Sequence, residues 1–372
     1  MGLTILAERI GARLCYFAAV AQKKRIAIIP GDGIGKEVIP QAVKVLEASG
    51  ANLETTHFDW GADRYLADGV TVPRDGFATL GRDFDAILLG AFGDPRVPTN
   101  IHAKEILLGM RFQMDLYANV RPVRLLDSTL CPLKGVEPKD VDFVVVRENT
   151  EGEYAQVGGF VYHDQPEEVA IQTGVFTRRG IERIVRFSFE LAQRRNGKKR
   201  VTSVTKSNAQ GFGMVLWDRT FLSVAAEFPH ISTESLLVDA AAMNFIRRPE
   251  SFDVVVGSNL FGDILSDISA IIIGSMGLAA SANLDPLRRF PSMFEPVHGS
   301  APDIAGKGVV NPLAAILSAA MMLDHLGAAE AAQQVERAVA DVLAKGRVRT
   351  ADLGGTSSTM EVTDAVLEKL RG

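Results

Sequence analysis

The sequence predicts an α/β protein of two domains, one spliced into the other. Three observations carry this. Short buried-strand patterns alternate with helical ones along the chain, the order that gives sheets covered by helices. The chain has 372 residues, enough for two domains at roughly 100–200 residues each. No low-complexity linker and no internal repeat separates two beads in series, so the chain must cross twice between the domains.

Regular structure starts at Lys24. Arg25 to Pro30 (RIAIIP) reads as a buried strand and Gly31 to Gly35 (GDGIG) as a tight turn needing positive φ. Lys36 to Ser49 reads as a helix, because Val38, Ala42, Val45 and Leu46 recur on one face and Gly50 can stop it. Further strands are predicted at Phe84 to Leu89 (FDAILL), Phe143 to Val146 (FVVV), Val201 to Val204 and Phe252 to Val256 (FDVVV). Ile181, Ile184, Val185, Leu191 and Ala192 mark one face of a helix ending near Asn196-Gly197. Leu313 to Leu326 is apolar nearly all round, so that helix should be buried.

Hydrophobic residues make up 47% and charged residues 23%, so the chain can bury a large core and disorder is excluded as its main state. Lys+Arg 40 against Asp+Glu 45 leaves −5. That balance argues against a nucleic-acid binder and against a polybasic membrane-surface protein. Two cysteines, Cys15 and Cys131, form no CxxC, so neither zinc nor a disulfide framework is expected and a reducing, cytoplasmic setting fits. The apolar run Leu14 to Ala21 is too short to span a bilayer. Ala19-Val20-Ala21 offers a small-residue cleavage site, but Glu8 stands where a signal peptide is basic. Residues 1–23 therefore read as an N-terminal extension, either an appended tail or the product of a start codon set too early.

Four segments carry candidate chemistry. Arg111, Arg121 and Arg147 are the first. Pro122 forces Arg121 to be extended, and Arg147 ends the strand FVVV, where α/β sheets place ligand groups. Each alone reads as readily as a surface arginine, but three converging guanidinium forks would suit a dicarboxylate. Asp263 and Asp267 are the second, four residues apart at the start of a helix. Like charges so placed repel, and a hard divalent cation would remove that cost; the alternative is a helix cap beside a solvated carboxylate. Asp239, among apolar neighbours in LLVDAAAM, would be a third carboxylate, and a merely solvated Asp is disfavoured there. Tyr154 and Lys206 are the third pair, an acid and a base if the lysine pKa is lowered. The fourth is the Gly- and Pro-rich loop from Glu295 to Asn311, long enough to hold a ligand. Asp303 in that loop could accept both ribose hydroxyls of an adenosine and would repel a 2′-phosphate. GDGIG is GxGxG, so it is not the GxGxxG dinucleotide fingerprint.

GDGIGKEV, DLYANVRPVRLL, VVRENTEGEY, TKSN, SNLFGDILSD and FEPVHGSAPDIAGKGVVNP, in this order, resemble the β-decarboxylating dehydrogenases, the isocitrate/isopropylmalate dehydrogenase family. The resemblance runs from about Lys24 to Leu370. It implies an isopropylmalate-dehydrogenase-like two-domain fold with the active site in the interdomain cleft and no Rossmann site. The large, cofactor-side domain would be 24–119 with 274–372, and the small dimerisation domain 120–273 with an arm at about 154–170. It also implies a homodimer with shared sites. Mg²⁺ or Mn²⁺ would be held by Asp263 and Asp267 together with Asp239 of the partner subunit. Arg111, Arg121 and Arg147 would bind the carboxylates of a malate core. The partner subunit's Lys206 would remove the hydroxyl proton, hydride would pass to NAD⁺, CO₂ would leave, and Tyr154 would protonate the enolate carbon. Ile34, Glu295, His298, Gly299, Ser300, Ala301, Asp303, Ile304 and Asn311 would form the cofactor site, with Asp303-Ile304 similar to the NAD-preferring members.

RENTEGEY, FTRRG and TKSN are more similar to the tartrate and D-malate branch than to isopropylmalate dehydrogenases. Isocitrate-type enzymes place Ser and Asn where this chain has Glu105 and Leu107, so isocitrate is disfavoured. Leu107 and Leu108 could instead contact an isopropyl group, which keeps 3-isopropylmalate, the substrate of leucine biosynthesis, as the alternative. A non-catalytic regulatory subunit is disfavoured because every catalytic position is filled. A metal-free Rossmann dehydrogenase is disfavoured by the missing fingerprint.

Overall fold

The computed structural model describes residues 23–371; the N-terminal extension lies outside the described residues apart from Lys23. The first half of the chain runs β1 (Lys24–Ile29), α1 (Gly35–Ala48), β2 (Leu53–His57), α2 (Ala62–Asp68), α3 (Gly76–Asp83), β3 (Ala86–Leu89), α4 (Ile101–Ala103), α5 (Gly109–Gln113), β4 (Ala118–Arg124), β5 (Asp142–Glu148), β6 (Gly152–Val161) and β7 (Val169–Val175). It continues α6 (Arg178–Arg195), β8 (Arg200–Thr205), α7 (Gly213–Ala225), β9 (Ser232–Leu237), α8 (Val238–Arg247), β10 (Val254–Gly257), α9 (Asn259–Ile272), β11 (Ala280–Leu284), β12 (Ser292–Pro296), α10 (Leu313–His325), α11 (Ala329–Lys345) and α12 (Thr359–Arg371). All five strands expected from apolar runs are present, as β1, β3, β5, β8 and β10.

Ten strands form one sheet in the order β2-β1-β3-β12-β11-β4-β5-β10-β8-β9. The flanks β2-β1-β3-β12 and β5-β10-β8-β9 are parallel. Between them, β11 and β4 pair antiparallel with each other and with their outer neighbours. The chain therefore reaches the second flank through β4 and returns through β11. β6 and β7 form a separate two-stranded ribbon whose Val157, Phe160, Val161 and Ile171 side chains are exposed.

Strand periodicity places the core. Ile26 and Ile28 face one side of the sheet with Val38, Val45 and α10, while Ala27 and Ile29 face the other with Trp60, Leu80 and Met110. A strand buried on both faces must be apolar throughout, which is why β1, β3, β5 and β10 were legible as unbroken apolar runs. The edge strands β2 (LETTH) and β9 (STESLL) bury little and carry no such run. α10 packs against α1, α11, β11 and β12, and so is apolar nearly all round as expected. The α6 helix ends where Asn196 turns left-handed at φ 50°, a position asparagine tolerates.

His325 closes α10 with its ring against Phe294, 5.4 Å between centroids. Burial, reinforced by Arg288, lowers its pKa to about 4. The unfolded imidazole titrates near 6.5. As pH falls through the window from about 6.5 to about 4, the unfolded chain takes up a proton that the folded chain refuses, so stability is lost on acidification. Replacing His325→Phe should shrink the drop in denaturant midpoint between pH 7 and pH 5 (about two units of acidification). An unchanged drop would contradict this.

Candidate active site

The register of the central strands fixes the site. Asn119 of β4 stands opposite Arg147 of β5 and opposite Asn283 of β11. Ser281 of β11 stands opposite Glu295 of β12. Side chains two apart on a strand share a face, so Asn119, Arg121, Arg147, Ser281, Asn283 and Glu295 all project from one side of the sheet. α9 covers that side. Its Gly262 permits the approach, because a Cβ there would lie 2.6 Å from the Cβ of Arg147.

Arg111, Arg121 and Arg147 converge here, each almost fully buried. Arg147 donates from Nε and Nη2 to Asn259 Oδ1 at 2.9 and 2.7 Å, and from Nη1 to Asp263. Arg121 donates from Nη1 to Ser266 Oγ at 2.6 Å and to Asp263 Oδ1 at 3.2 Å, and from Nε to Asn119 Oδ1 at 2.7 Å. Arg111 donates to Glu295 Oε1 at 2.9 Å. Asn119 donates to Asn283 and Asn283 to the same Glu295 oxygen, at 2.7 and 2.8 Å, which links the two ends of the cluster. Tyr154 donates its hydroxyl to Asp263 Oδ2 at 2.9 Å, with the Arg147 guanidinium 5.2 Å from its ring centre.

The electrostatics follow from crowding in a dry place. Burial, then Arg121 and Arg111, pulls Arg147 down to about 9. Burial opposes the charge on Asp263, but Arg147 and Arg121 outweigh it and hold the carboxyl below its usual range. Asp267 goes the other way, raised by burial and by Asp263. Burial and the Asp263 charge also raise the Tyr154 phenol, so it stays protonated. With Lys104, which lines the same cleft, four cationic side chains face three carboxylates, Asp263, Glu295 and Asp267 (3.9 Å from Arg121), and one excess positive charge remains for a ligand.

These groups line a cleft of about 370 Å³, together with Lys104, Leu107, Leu108, His298 and Gly299. That is room for a small acid and part of a cofactor. A larger groove of about 590 Å³ opens on the other face of the sheet, beside Pro122, Val144 and Phe187, and holds none of these arginines or aspartates. The glycine turn borders the 295–311 loop. Ile34 donates its backbone N–H to Ser300 O at 2.9 Å, and a Cβ on Gly33 (φ 50°) would lie 2.0 Å from that oxygen. Glu37 accepts from the backbone N–H groups of Gly306 and Gly308, the latter at 2.9 Å, and so ties the loop to α1. His298 Nε2 is buried without a partner, which marks an unmet polar contact on the loop.

Other expected residues stand differently. Ile34 has its side chain in the core, and Glu295 is turned to Arg111 and Asn283. Asn311 accepts the Leu313 N–H and donates to Asp352. Ala301 and Ile304 are half-buried in the loop, and Asp303 is exposed without a hydrogen bond among the described residues. Lys206 and Asp239 bond each other at 3.0 Å, and neither lines the cleft. Asp239 is 60% exposed at the start of α8, so its apolar sequence neighbours do not bury it. Asp239, Asp263 and Asp267 do not gather in one chain; among the described residues the one carboxylate and histidine trio within metal-binding reach is the exposed His163, Asp164 and Glu168. Glu105 differs from expectation too. It accepts from the Thr71 hydroxyl and stays out of the cleft, while Lys104, three, four and seven residues before Leu107, Leu108 and Arg111, shares their helix face and lines it.

Comparison with known proteins decides the family. The family model for isocitrate/isopropylmalate dehydrogenase matches residues 25–366. The chain belongs to the isocitrate/isopropylmalate dehydrogenase family. It is an oxidoreductase, a decarboxylating dehydrogenase. A probable tartrate dehydrogenase/decarboxylase of Bacillus subtilis (strain 168) is 48% identical over 352 residues, 93% of this chain and 98% of that protein. A 3-isopropylmalate dehydrogenase of Thermobifida fusca (strain YX) is 47% identical over 354 residues, 94% of this chain and 98% of that one. The crystal structure of isocitrate dehydrogenase from Methylococcus capsulatus superposes with a TM-score of 0.86 at 38% identity, covering 94% of this chain and all of that one. For a dehydrogenase of this family, the residues that sequence reasoning missed are the asparagines Asn119, Asn259 and Asn283 and the buried Asp32–His102 pair, 2.8 Å apart. Only their position in the motifs ANVRP, SNLF and GDGIG could have flagged three of them.

Asn259 sets the fork of Arg147, so Asn259→Ala should weaken substrate binding. Hydrogen bonds to a charged group contribute about 1.5–3 kcal/mol, so kcat/KM should fall roughly 10- to 100-fold, and the melting temperature should fall too because buried Arg147 loses an acceptor. An unaffected kcat/KM would contradict the assignment.

Proposed function

We propose that this dehydrogenase oxidatively decarboxylates a malate-type 2-hydroxy dicarboxylate, tartrate or D-malate, with NAD⁺ and Mg²⁺ or Mn²⁺, as a cytoplasmic homodimer with shared active sites. One observation carries the substrate class: four cationic side chains, three of them buried guanidiniums and the fourth Lys104, face only three carboxylates at a cleft of about 370 Å³. A substrate with two carboxylates supplies the missing charge and the bidentate geometry. The names of the tartrate relatives support the same reading.

The donor set fits a hard cation. Asp263 and Asp267 offer carboxylate oxygens on one face of α9, and their mutual repulsion is what a divalent ion relieves. One chain supplies two such ligands, so Asp239 of the partner subunit is the proposed third. The half-exposed pairing of Lys206 with Asp239 supports this, since both then sit where a second subunit can receive them. The buried, unpartnered His298 Nε2 and the loop that Glu37 ties down support the cofactor at residues 295–311, with Ile34 at the nicotinamide side, Asn311 anchoring the far end and Asp303-Ile304 at the adenosine. Exposed Asp303 would accept ribose hydroxyls and repel a 2′-phosphate, hence NAD⁺ rather than NADP⁺. The two flanks of the sheet correspond to the two domains, 24–119 with 274–372 and 120–273. The ribbon at about 154–170 is the proposed arm toward the partner, its exposed apolar side chains needing a cover.

When bound, NAD⁺ supplies the hydride acceptor and the divalent ion supplies Lewis-acid stabilisation of charge on oxygen. Arg111, Arg121 and Arg147 orient the two carboxylates. The partner subunit's Lys206 would take the proton from the hydroxyl oxygen as hydride leaves the carbon that bears it. After the resulting β-keto acid loses CO₂, the protonated Tyr154 returns a proton to carbon. Leu107 and Leu108 in the cleft, with the Thermobifida fusca relative, favour 3-isopropylmalate as the second reading.

NADH formation should be measured with tartrate, D-malate, 3-isopropylmalate, isocitrate and homoisocitrate. Tartrate and D-malate should be the best substrates, and excess chelator should lower the rate by about 100-fold or more. A preference for 3-isopropylmalate would transfer the chain to the second reading, and chelator-insensitive turnover would contradict both.

A further inference from the structure

The cleft holds four cationic side chains, and three of them are engaged. Arg111 is paired with Glu295, and Arg121 and Arg147 with Asp263. The fourth, Lys104, has no hydrogen-bond or ion-pair partner for its ammonium among the described residues, yet it lines the same cleft as Leu107, Leu108 and Tyr154. Its backbone is held in place. Asn100, left-handed at φ 49°, starts α4, and the fully buried His102 bonds Asp32 at 2.8 Å. Asp32 in turn accepts from the N–H groups of Ala62 and Gly93 at 2.7 and 2.9 Å. The spacing of Lys104 from Leu107, Leu108 and Arg111 then sets it on the cleft face, while Glu105 turns away to Thr71. Across the cleft, Gln156 of β6 sits in a left-handed backbone at φ 60°, and its side chain also lines the cleft without a partner.

We propose that Lys104 is a specificity-determining residue that recognises an oxygen substituent at C3 of the substrate, so the preferred substrate class is a 2,3-dihydroxy dicarboxylate, tartrate over D-malate. This rests on the malate-type reading above and sharpens it. The three arginines bind the carboxylates that all these acids share, so they cannot tell one from another. What differs is the C3 substituent: hydrogen in malate, hydroxyl in tartrate, isopropyl in isopropylmalate. A free ammonium donates a charge-assisted hydrogen bond to a hydroxyl. Against an isopropyl group the same ammonium loses water and gains nothing. Gln156 supplies a second donor or acceptor for that hydroxyl.

The test compares the parent enzyme with Lys104→Met and Lys104→Arg on tartrate, D-malate and 3-isopropylmalate, reading the ratios of kcat/KM. In Lys104→Met the tartrate to D-malate ratio should fall roughly 10- to 100-fold. The 3-isopropylmalate to D-malate ratio should rise, and Lys104→Arg should retain most of the tartrate preference. Calorimetric binding of tartrate and D-malate to the Mn²⁺-equilibrated protein should show the same shift in Kd ratio. An unchanged ratio in Lys104→Met, by kinetics or by calorimetry, would overturn the proposal. If the parent turns over none of the three acids, the malate-type reading fails, and the calorimetric ratio still decides whether Lys104 selects for the hydroxyl.

Discussion

Three guanidiniums held out of water beside one another are the constraint on which this structure turns. Burying a cation costs several kcal/mol unless anions and hydrogen bonds replace its hydration. Arg111, Arg121 and Arg147 also repel each other. Their acceptors come from distant parts of the chain: Asn119 on β4, Asn259, Asp263 and Ser266 on α9, and Glu295 on β12, joined through Asn283 on β11. These groups meet only if β4, β11 and β12 lie side by side with α9 over the same face. The antiparallel centre of an otherwise parallel sheet provides that. Compensation stays incomplete, because Asp263, Glu295 and Asp267 face three guanidiniums and the Lys104 ammonium. On the proposed reading a dicarboxylate completes it, and Asp263 is then released from the arginines to hold a cation with Asp267.

Much of the fold was legible in the sequence, for a specific reason. β1, β3, β5 and β10 are buried on both faces, so the positions that serve the core are consecutive apolar residues and stand out as runs. β4 was hidden because ANVRPVR alternates large polar side chains with small apolar ones; its arginine and asparagine point into the site. β11 (ASANL) and β12 (SMFEP) were hidden for the same reason, since Ser281, Asn283 and Glu295 serve the cleft rather than the core. The elements that build the site are those whose sequence pattern the site has altered.

The site was legible in its charges and less so in its supports. Arg111, Arg121, Arg147, Tyr154 and Asp263 meet in one cleft, and each stood out in the sequence as a charged or phenolic residue within a recognisable motif. The asparagines that hold them carry no charge and no periodicity. The family resemblance alone set Glu105 toward the substrate; helical spacing from Arg111 instead puts Lys104, seven residues away, on the cleft face and Glu105 off it. Lys206 and Asp239 bond each other outside the cleft of their own chain, and on the proposed reading a second subunit receives them.

The most direct measurement is complementation between two inactive variants. Lys206→Met and the double variant Tyr154→Phe with Asp263→Asn should each be inactive alone. Mixed, unfolded reversibly and reassembled in equal amounts, they should form hybrid dimers. Each hybrid carries one intact site, made of Tyr154 and Asp263 from one subunit and Lys206 from the other. About a quarter of the parental activity should return, since half the dimers are hybrids and one of their two sites is whole. Parental-level activity in Lys206→Met alone, or no recovery in a mixture shown to contain hybrid dimers, would contradict a shared active site.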